Sequence, residues 1–315
     1  MQKPNRIFDL LFNRVINSPF IFVISYKEYR IMSSPNQKKN IRHSKSSNKG
    51  QKKGRIPSNP KALNRPTTKI TTSLEELGED IRLNKYVAHC GICSRRKASE
   101  YIFEGLVQVN GELIKEPGHR ISPKDEVRFK GDVIRPESQK VYVLLNKPKD
   151  AVTTAKDEKD RRTVFDLIGD DVQVRIFSVG RLDRATTGLL LLTNDGDLAK
   201  KLTHPKHKVK KVYHVILDKS VLDAHLQAIH KGLELEDGLA LVDGVSHVKG
   251  KDKNEVGIEL HIGKNRIVRR IFEHFGYKVL KLDRMYFGGL TKKDLPRGRY
   301  RFLSEQEIIM LKHFT

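Results

Sequence analysis

The sequence is poor in cysteine, in long apolar runs and in acidic residues relative to basic ones. Its 315 residues contain two cysteines, a usage that is typical of a reducing compartment. The best candidate for a membrane span, residues 20–24, is far shorter than the roughly 20 residues that a bilayer crossing needs. No small-residue cleavage site follows it, as a secretory signal would require. We therefore predict a cytoplasmic protein without a transmembrane helix.

The two cysteines, Cys90 and Cys93, have the C-x-x-C spacing of zinc and redox sites. A structural zinc site needs four ligands, and no second Cys/His pair with ligand spacing follows. A thioredoxin-like pair would follow a strand, whereas this one ends an apparent helix. We predict small buried thiols and no metal site.

Acidic residues are too few to balance the basic ones. The 61 Lys and Arg residues face 38 Asp and Glu residues, which gives a net charge of +23. Such an excess exceeds what solubility needs and favours an anionic polymer as partner. Residues 32–73 contain no acidic residue amid Ser, Asn and Pro, so we expect residues 1–80 to form a basic, disordered extension that attracts phosphates non-specifically. The first 31 residues differ in composition, which suggests translation from Met32.

Residues 81–138 have the pattern of a small domain. Leu83, Val87 and Ile92 bracket one predicted helix, and Ser94 is a plausible N-cap for a second. Residues 107–114 are typical of a hairpin around Asn-Gly, and residues 126–129 alternate as a further strand.

The run LNKYVA at 83–88, SRRKA at 94–98 and GLVQVNG at 105–111 resembles the RNA-binding domain named after ribosomal protein S-four. The resemblance implies a small αL-type RNA-binding module whose second helix presents basic residues to an RNA backbone. The implied RNA contacts are Lys85, Arg95, Arg96 and Lys97. Without the resemblance, these residues are equally typical of an exposed charged helix face.

Residues 139–315 are predicted to form a second domain. Residues 141–148 favour a buried strand that ends at Pro148. Strands are expected at 175–179, 211–217 and 255–262, and helices at 197–202, 220–231 and 267–275. Short helices between irregular strands favour α+β over a regular βαβ series.

The most informative stretch is GRLDRATTGLLLLTNDG at 180–196, with Asp183 between an apolar strand and a Thr-Thr-Gly segment. On physical grounds alone, Asp183 could cap the following turn through its carboxylate. The Asn-Asp-Gly segment around Asp195 is a turn signal in its own right.

This stretch resembles the catalytic motif of the Rsu branch of pseudouridine synthases. Two other segments agree in order and spacing: His204-Pro205 followed by KKVY at 210–213, and GKNRIVRRIFE at 263–273. The resemblance spans residues 81–309, and Ile267 stands where the family usually has Gln. It implies a synthase domain with a mainly antiparallel, mixed sheet that acts without a cofactor on a uridine of ribosomal RNA, in a naked RNA or a ribosomal precursor particle. The His204-Pro205 element and the leucine-rich motif resemble those of the members that modify large-subunit RNA, so the resemblance favours that substrate.

The implied reaction breaks the bond between ribose and base nitrogen, turns the uracil, and rejoins it through a ring carbon. By resemblance, Asp183 either attacks the anomeric carbon or removes the neighbouring ribose proton, and both routes require its ionised form. Arg269 would keep Asp183 charged and oriented, and Tyr213 would stack on the base and assist proton removal.

The target uridine has to leave its base stack to be reached. Arg181 could fill the vacated position or bind a phosphate. Further RNA contacts are expected from Lys211, Asn265 and Arg266, and we expect the protein to act as a monomer. Two alternatives stay open: a catalytically silent RNA-binding assembly factor, and a DNA-binding protein that uses the helix of Arg95.

Overall fold

The computed structural model describes residues 70–71, 80–137 and 139–313. Nearly all of the predicted basic extension therefore lies outside the described residues. The described chain forms a small domain (residues 80–137) and a large domain (residues 139–313), in keeping with the expected α+β class. Within these ranges no helix is long and apolar enough to cross a bilayer.

The small domain packs two helices on short antiparallel strands. Its elements are β2 Ile81–Arg82, α1 Leu83–His89, α2 Arg95–Phe103, β3 Val107–Val109, β4 Glu112–Leu113, β5 Arg120–Ile121, β6 Val127–Phe129 and β7 Asp132–Val133. The four-stranded sheet has the order β4-β3-β6-β7, and β2 pairs with β5. Two short strands outside this domain, β1 Ile70–Thr71 and β8 Gln139–Lys140, pair with each other at the entry to the large domain.

Two local predictions for the small domain are confirmed. Ser94 caps α2, because its hydroxyl accepts a hydrogen bond from the Lys97 amide at 3.2 Å. Asn110 and Gly111 both adopt positive φ, 51° and 85°, which suits the tight turn between β3 and β4. The first helix is shorter than expected and ends at His89, since Gly91 takes the left-handed conformation that stops it.

The two cysteines belong to the core of the small domain and carry free thiols. Burial raises the pKa of Cys90 to about 12, so this thiol stays protonated at neutral pH and is a poor nucleophile. The two cysteines of the C-x-x-C segment thus serve as packing residues of the small-domain core.

The large domain is built on a mixed sheet with the order β13-β14-β12-β15-β11-β9-β17, while β10 pairs with β11 and β16 with β15. Neighbouring strands are antiparallel except β11 and β15, which run parallel. The elements are β9 Tyr142–Lys147, β10 Phe177–Ser178, β11 Thr187–Thr193, α3 Gly196–Thr203, β12 Lys211–Leu217, α4 Asp223–Lys231, β13 Gly244–His247, β14 Glu255–Leu260, α5 Ile267–Glu273, β15 Val279–Phe287, β16 Leu290–Thr291, β17 Tyr300–Phe302 and α6 Glu305–His313.

Helices cover both faces of this sheet. The alternating residues Leu190 and Leu192 of β11 share a buried cluster with apolar residues of α4 and α5. The intervening Leu189 and Leu191 pack with α3 and α6 on the other face. The four consecutive leucines therefore serve two cores, which is why this strand shows no alternation in its sequence.

Several predicted boundaries are wrong by a few residues. The strand expected at 175–179 is paired only over Phe177–Ser178, and the one expected at 255–262 ends at Leu260. The helix expected from residue 220 begins at Asp223, and the one expected to reach residue 275 ends at Glu273. Apolar residues continue past the hydrogen-bonded segments in each case, so hydrophobicity alone overstates their length.

Gly188 allows the parallel strands to meet beside the Asp183 loop. It has φ +107°, and a Cβ there would lie 2.3 Å from the main-chain oxygen of Arg284. We expect Gly188→Ala to lower the free energy of unfolding by about 3 kcal/mol or more, because a left-handed alanine and a clash with main chain both oppose folding. Urea unfolding of the two proteins measures this. Gly250→Ala provides the control, since that glycine also has positive φ but has no atom within 4 Å of its Cβ position.

The two domains touch through polar contacts around a cleft of about 900 Å³. Lys85 of α1 forms an ion pair of 3.1 Å with Asp197 of α3. Arg175 donates a hydrogen bond of 3.0 Å to the carbonyl of Cys93.

His89 lines this cleft, and its protonation should report on the folded state. Burial, followed by the charges of Lys140 and Lys85, lowers its pKa to about 4. In the unfolded chain the imidazole binds a proton below about pH 6.5. The unfolded state thus gains protons first as the pH falls, and the free energy of unfolding decreases between pH 6.5 and 4. Urea titrations at pH 7 and pH 4.5 measure how much the free energy of unfolding decreases between these pH values. We expect this decrease to be about 2 kcal/mol smaller in His89→Gln than in wild type. Equal pH dependence in both proteins would contradict this.

Candidate active site

Asp183 lies in the loop between β10 and β11, just before the N-terminal end of β11, which is an interior strand of the large-domain sheet. Its side chain is 41% exposed, so the carboxylate can be reached from solvent. The turn after it is closed by the main-chain carbonyl of Asp183, which accepts from the Thr186 amide at 3.0 Å. Within the described residues the carboxylate itself caps nothing, in contrast to the turn-capping alternative.

Two guanidinium groups of the GKNRIVRR segment face this carboxylate. Arg266 Nη1 lies 3.8 Å from Asp183 Oδ2, and Arg269 Nε lies 4.0 Å from the same oxygen. These distances exceed hydrogen-bonding range, so the interaction is one between charges. Asp183, Arg266 and Arg269, which the sequence assigns to two separate motifs, therefore form one cluster.

Arg269 is buried and hydrogen-bonded, whereas Arg266 is exposed. The Arg269 side chain is 10% exposed and donates to the carbonyl of Val279 at 3.1 Å. Burial, followed by the charge of Arg266, lowers its pKa. Its Nε is buried and has no hydrogen-bond partner among the described residues. Arg266 precedes α5 with φ 47° and is 46% exposed, and it also approaches Glu273 at 3.5 Å.

Lys147, the last residue of β9, holds the main chain of the Asp183 loop through hydrogen bonds. This fully buried ammonium donates to the carbonyls of Asp183 at 3.0 Å, Arg184 at 3.3 Å and Thr186 at 2.8 Å. The Thr153 hydroxyl donates to the Leu182 carbonyl at 2.8 Å from the other side. The position of Asp183 is thus set by contacts to its backbone, which leave the carboxylate free.

Burial lowers the pKa of Lys147 to about 8, while the nearby Asp183 carboxylate opposes that shift. The carbonyls that accept from the ammonium also favour its charged form. Neither Lys147 nor Thr153 was expected as a site residue. The available signal was a lysine inside the apolar run VYVLLNKP at 141–148, where an unpaired charge would be costly.

A partly buried ion cluster supports the first residues of β11. Asp283 accepts from the Thr187 hydroxyl at 2.9 Å and from Arg297 at 3.0 and 2.7 Å, and it pairs with Lys292. Arg297 also donates to Asn146 Oδ1 at 2.7 Å, next to Lys147. This network joins β9, β11 and β15 below the Asp183 loop.

Tyr213 lies on β12, opposite Arg284 of β15, which in turn is paired with Gly188. It is 9% exposed and belongs to the same buried cluster as Leu182 and Val268, the neighbours of Asp183 and Arg269 in the chain. Arg284 is buried and donates to the Leu189 carbonyl at 2.7 Å.

Some of the other predicted RNA contacts have exposed side chains, whereas others already pair within the protein. Arg95 and Arg96 are exposed in the first turn of α2, and Arg181 and Asn265 are exposed or half-exposed close to the Asp183 cluster in sequence. Lys85 pairs with Asp197, and Lys97 donates to Glu100 at 2.7 Å. The ammonium of Lys211 donates to the carbonyls of Val209 at 3.0 Å and His261 at 2.7 Å. For Lys211 these contacts supply a structural role, so its contact with RNA stays a prediction.

Asp195 and Asn194 have the structural role expected for them. The Asp195 carboxylate accepts from the Leu198 amide at 3.0 Å and caps α3. Asn194 accepts from the Val141 amide at 2.8 Å and donates to the Gln139 carbonyl at 2.8 Å.

Residues 141–274 match the model of a family described as RNA pseudouridylate synthase, and residues 81–127 match that of the S4 domain. A protein of Aquifex aeolicus named as an uncharacterized RNA pseudouridine synthase is 38% identical over 234 residues, which cover 74% of this chain and 94% of the relative. Ribosomal large subunit pseudouridine synthase B of Bacillus subtilis is 38% identical over 73% of this chain and 95% of its own.

The dual-specificity RNA pseudouridine synthase RluF of Escherichia coli O6:H1 is 36% identical over 73% of this chain and 78% of its own. Among solved structures, a crystal structure of a pseudouridylate synthase superposes with a TM-score of 0.53 at 30% identity. It covers 73% of this chain and 99% of that one.

Proposed function

The chain belongs to the RNA pseudouridylate synthase family, in its RsuA/RluB-like branch, and we propose that it isomerises one uridine of ribosomal RNA to pseudouridine at Asp183. The observation that carries this proposal is the exposed carboxylate of Asp183 facing two guanidinium groups on a loop fixed through its backbone. One relative of this branch, the Bacillus subtilis protein, is named for large-subunit RNA, which favours that substrate here.

The proposed site can perform each step of the isomerisation. The bond between C1′ and N1 breaks, C1′ joins C5 of the turned uracil, and the C5 proton leaves while N1 gains one. The ionised carboxylate of Asp183 either bonds to C1′ or takes the neighbouring ribose proton, and both routes stay open. Tyr213 is the proposed base-stacking group and assists proton removal at C5.

The proposed role of Arg266 and Arg269 is to hold the negative charge of Asp183 beside an anionic substrate. Because Arg266 is exposed and Arg269 is anchored, we assign Arg266 to RNA contact and Arg269 to orientation of the carboxylate. The remaining RNA contacts proposed are Arg95, Arg96, Arg181 and Asn265, whose polar groups are available, together with Lys85, Lys97 and Lys211.

Arg269→Gln should test the orienting role. We expect kcat to fall by about 10²-fold, because a fixed cation next to the reacting carboxylate is lost. Arg270→Gln is a matched control on the same helix, since that guanidinium pairs bidentately with Asp237 at 2.8 and 2.9 Å instead of with Asp183. Single-turnover kinetics on both variants measures the effect. A similar loss in the two variants would show that the helix, not the charge beside Asp183, matters.

The substrate proposal is tested by mapping pseudouridine in ribosomal RNA from cells with and without the gene, complemented by wild type or by Asp183→Asn. Loss of one large-subunit site, restored by wild type alone, is the expected result. An unchanged map, with assembly defects that either version rescues, would favour the silent assembly factor.

We also propose that the protein acts in the cytoplasm as a monomer. The free thiols fit a reducing compartment. Light scattering on the purified protein, alone and with RNA, tests the monomer.

A further inference from the structure

The cleft between the two domains is separate from the Asp183 site. Its walls come from α1, α2 and neighbouring loops of the small domain and from β10 and α3 of the large domain, and its lining includes none of Asp183, Tyr213 and Arg269. A volume of about 900 Å³ is in the range of sites that enclose a small ligand. It is too small for a double helix.

The charge of the cleft is predominantly positive. Six basic side chains line it against three acidic ones: Arg82, Lys85, Arg95, Arg120, Arg175 and Lys200 against Asp80, Glu137 and Asp197. Two of the acids are already paired, Asp197 with Lys85 and Asp80 with Arg120. Arg95 and Lys200 are exposed, and within the described part of the chain neither forms an ion pair. They leave two cations, one from each domain, available to an anion.

Two rings approach the floor of the cleft from opposite domains. Phe177 Cζ lies 3.9 Å and His89 Nε2 lies 3.7 Å from the position that a Cβ would take on Gly196. Because Gly196 has no side chain, the space between the rings stays open. The depressed pKa of His89, to which Lys140, Lys85 and Arg95 contribute, keeps this imidazole neutral at pH 7.

Flat rings beside unpaired cations are the combination that binds nucleotides, since bases stack on aromatic faces and phosphates pair with Arg and Lys. An acidic peptide would use the cations but would not need the rings. Non-specific attraction to a duplex would need neither an enclosed volume nor a ring.

We propose that this cleft binds an unpaired nucleotide that flanks the target helix of the RNA substrate, with its base on Phe177 and its phosphates on Arg95 and Lys200. The proposal rests on the proposed function, because it extends the substrate beyond the uridine that reaches Asp183.

The test compares two RNAs: a stem-loop with the target uridine, and the same stem-loop with unpaired nucleotides on both ends. Fluorescence anisotropy gives Kd at several salt concentrations. Phe177→Leu keeps an apolar side chain in the partly buried position but removes the ring, and Lys200→Gln removes an exposed charge. Lys253→Gln, an exposed cation at the turn before β14 on the far edge of the sheet, is the matched control.

We expect wild type to bind the flanked RNA more tightly, and Phe177→Leu to weaken that binding about 10-fold while leaving the plain stem-loop unaffected. Lys200→Gln should lower the slope of log Kd against log salt by about 0.7 for the flanked RNA only. The control should change neither value. Equal affinity of wild type for both RNAs, or equal losses on both RNAs in the variants, would overturn the proposal.

Competition with uridine monophosphate tests whether the cleft binds a free nucleotide or a nucleotide of the RNA substrate. Competition that depends on Phe177, without any preference for flanked RNA, would show that the cleft takes free nucleotides and would overturn the RNA assignment. Turnover of wild type on the same RNAs is measured in parallel. Absence of pseudouridine with either RNA contradicts the proposed function, whereas turnover without the flank preference contradicts the cleft proposal alone.

Discussion

Asp183→Asn is expected to reduce pseudouridine formation by at least about 10³-fold while RNA affinity changes little. Asparagine keeps the shape of the side chain, but it can neither bond to C1′ as a carboxylate nor accept the ribose proton, so both routes fail. The loop itself should persist, because Lys147 and Thr153 hold its carbonyls and make no contact with the carboxylate. Single-turnover assays on ribosomal RNA and direct measurement of Kd separate chemistry from binding.

Asp223→Asn serves as the control for that variant. Asp223 is the first residue of α4, its side chain is 70% exposed, and its carboxylate pairs with His247 at 3.1 Å. The same change in charge therefore occurs outside the proposed site. We expect turnover within about twofold of wild type. Normal turnover by Asp183→Asn would refute the assigned role, and a loss of RNA binding in that variant would show that Asp183 acts in recognition.

The sequence singles out Asp183, Tyr213 and Arg269 as candidate catalytic residues because each lies in a contiguous motif. Two local structural predictions are confirmed: Ser94 caps its helix, and Asn110-Gly111 forms its turn. A cap and a tight turn depend on residues that are neighbours in the chain, so the sequence indicates them directly. The boundaries of helices and strands were less accurate, because burial continues beyond the hydrogen-bonded segment.

The support of the site was not predictable in the same way. Lys147 reaches carbonyls 36 to 39 residues away, and Arg297 reaches Asn146 across 151 positions. Such contacts depend on the order of the strands, and on the parallel pairing of β11 with β15 in a sheet that is otherwise antiparallel. The proximity of Arg266 to Asp183 likewise depends on a left-handed backbone at the start of α5, which no local signal indicated.

Lys147→Met is the sharpest test of this support. Methionine fills a similar volume but removes the donor of the buried Thr186 carbonyl, and it leaves the carbonyls of Asp183 and Arg184 with only their main-chain donors, the amides of Thr186 and Asp150. A buried carbonyl that loses its partner destabilises a fold by about 1–3 kcal/mol, and each further hydrogen bond that is lost adds up to about 1 kcal/mol, so we expect the free energy of unfolding to fall by about 3 kcal/mol. A shift of the loop by about 1 Å would reduce kcat about 10²-fold.

A general loss of stability and a displaced loop can be told apart by kcat and Kd measured at a temperature where circular dichroism shows the variant folded. A positioning role predicts a lower kcat at saturating RNA with nearly unchanged Kd. Thr153→Val removes the hydroxyl that donates to the Leu182 carbonyl of the same loop at 2.8 Å and accepts from the Leu182 amide at 3.4 Å. It should reduce kcat about fivefold and stability by about 1 kcal/mol. Because both residues contact the loop only through its backbone, a graded loss in kcat across the two variants would place the control of Asp183 in the strands beneath it. Full kcat in folded Lys147→Met would instead mean that the arginines alone orient the carboxylate.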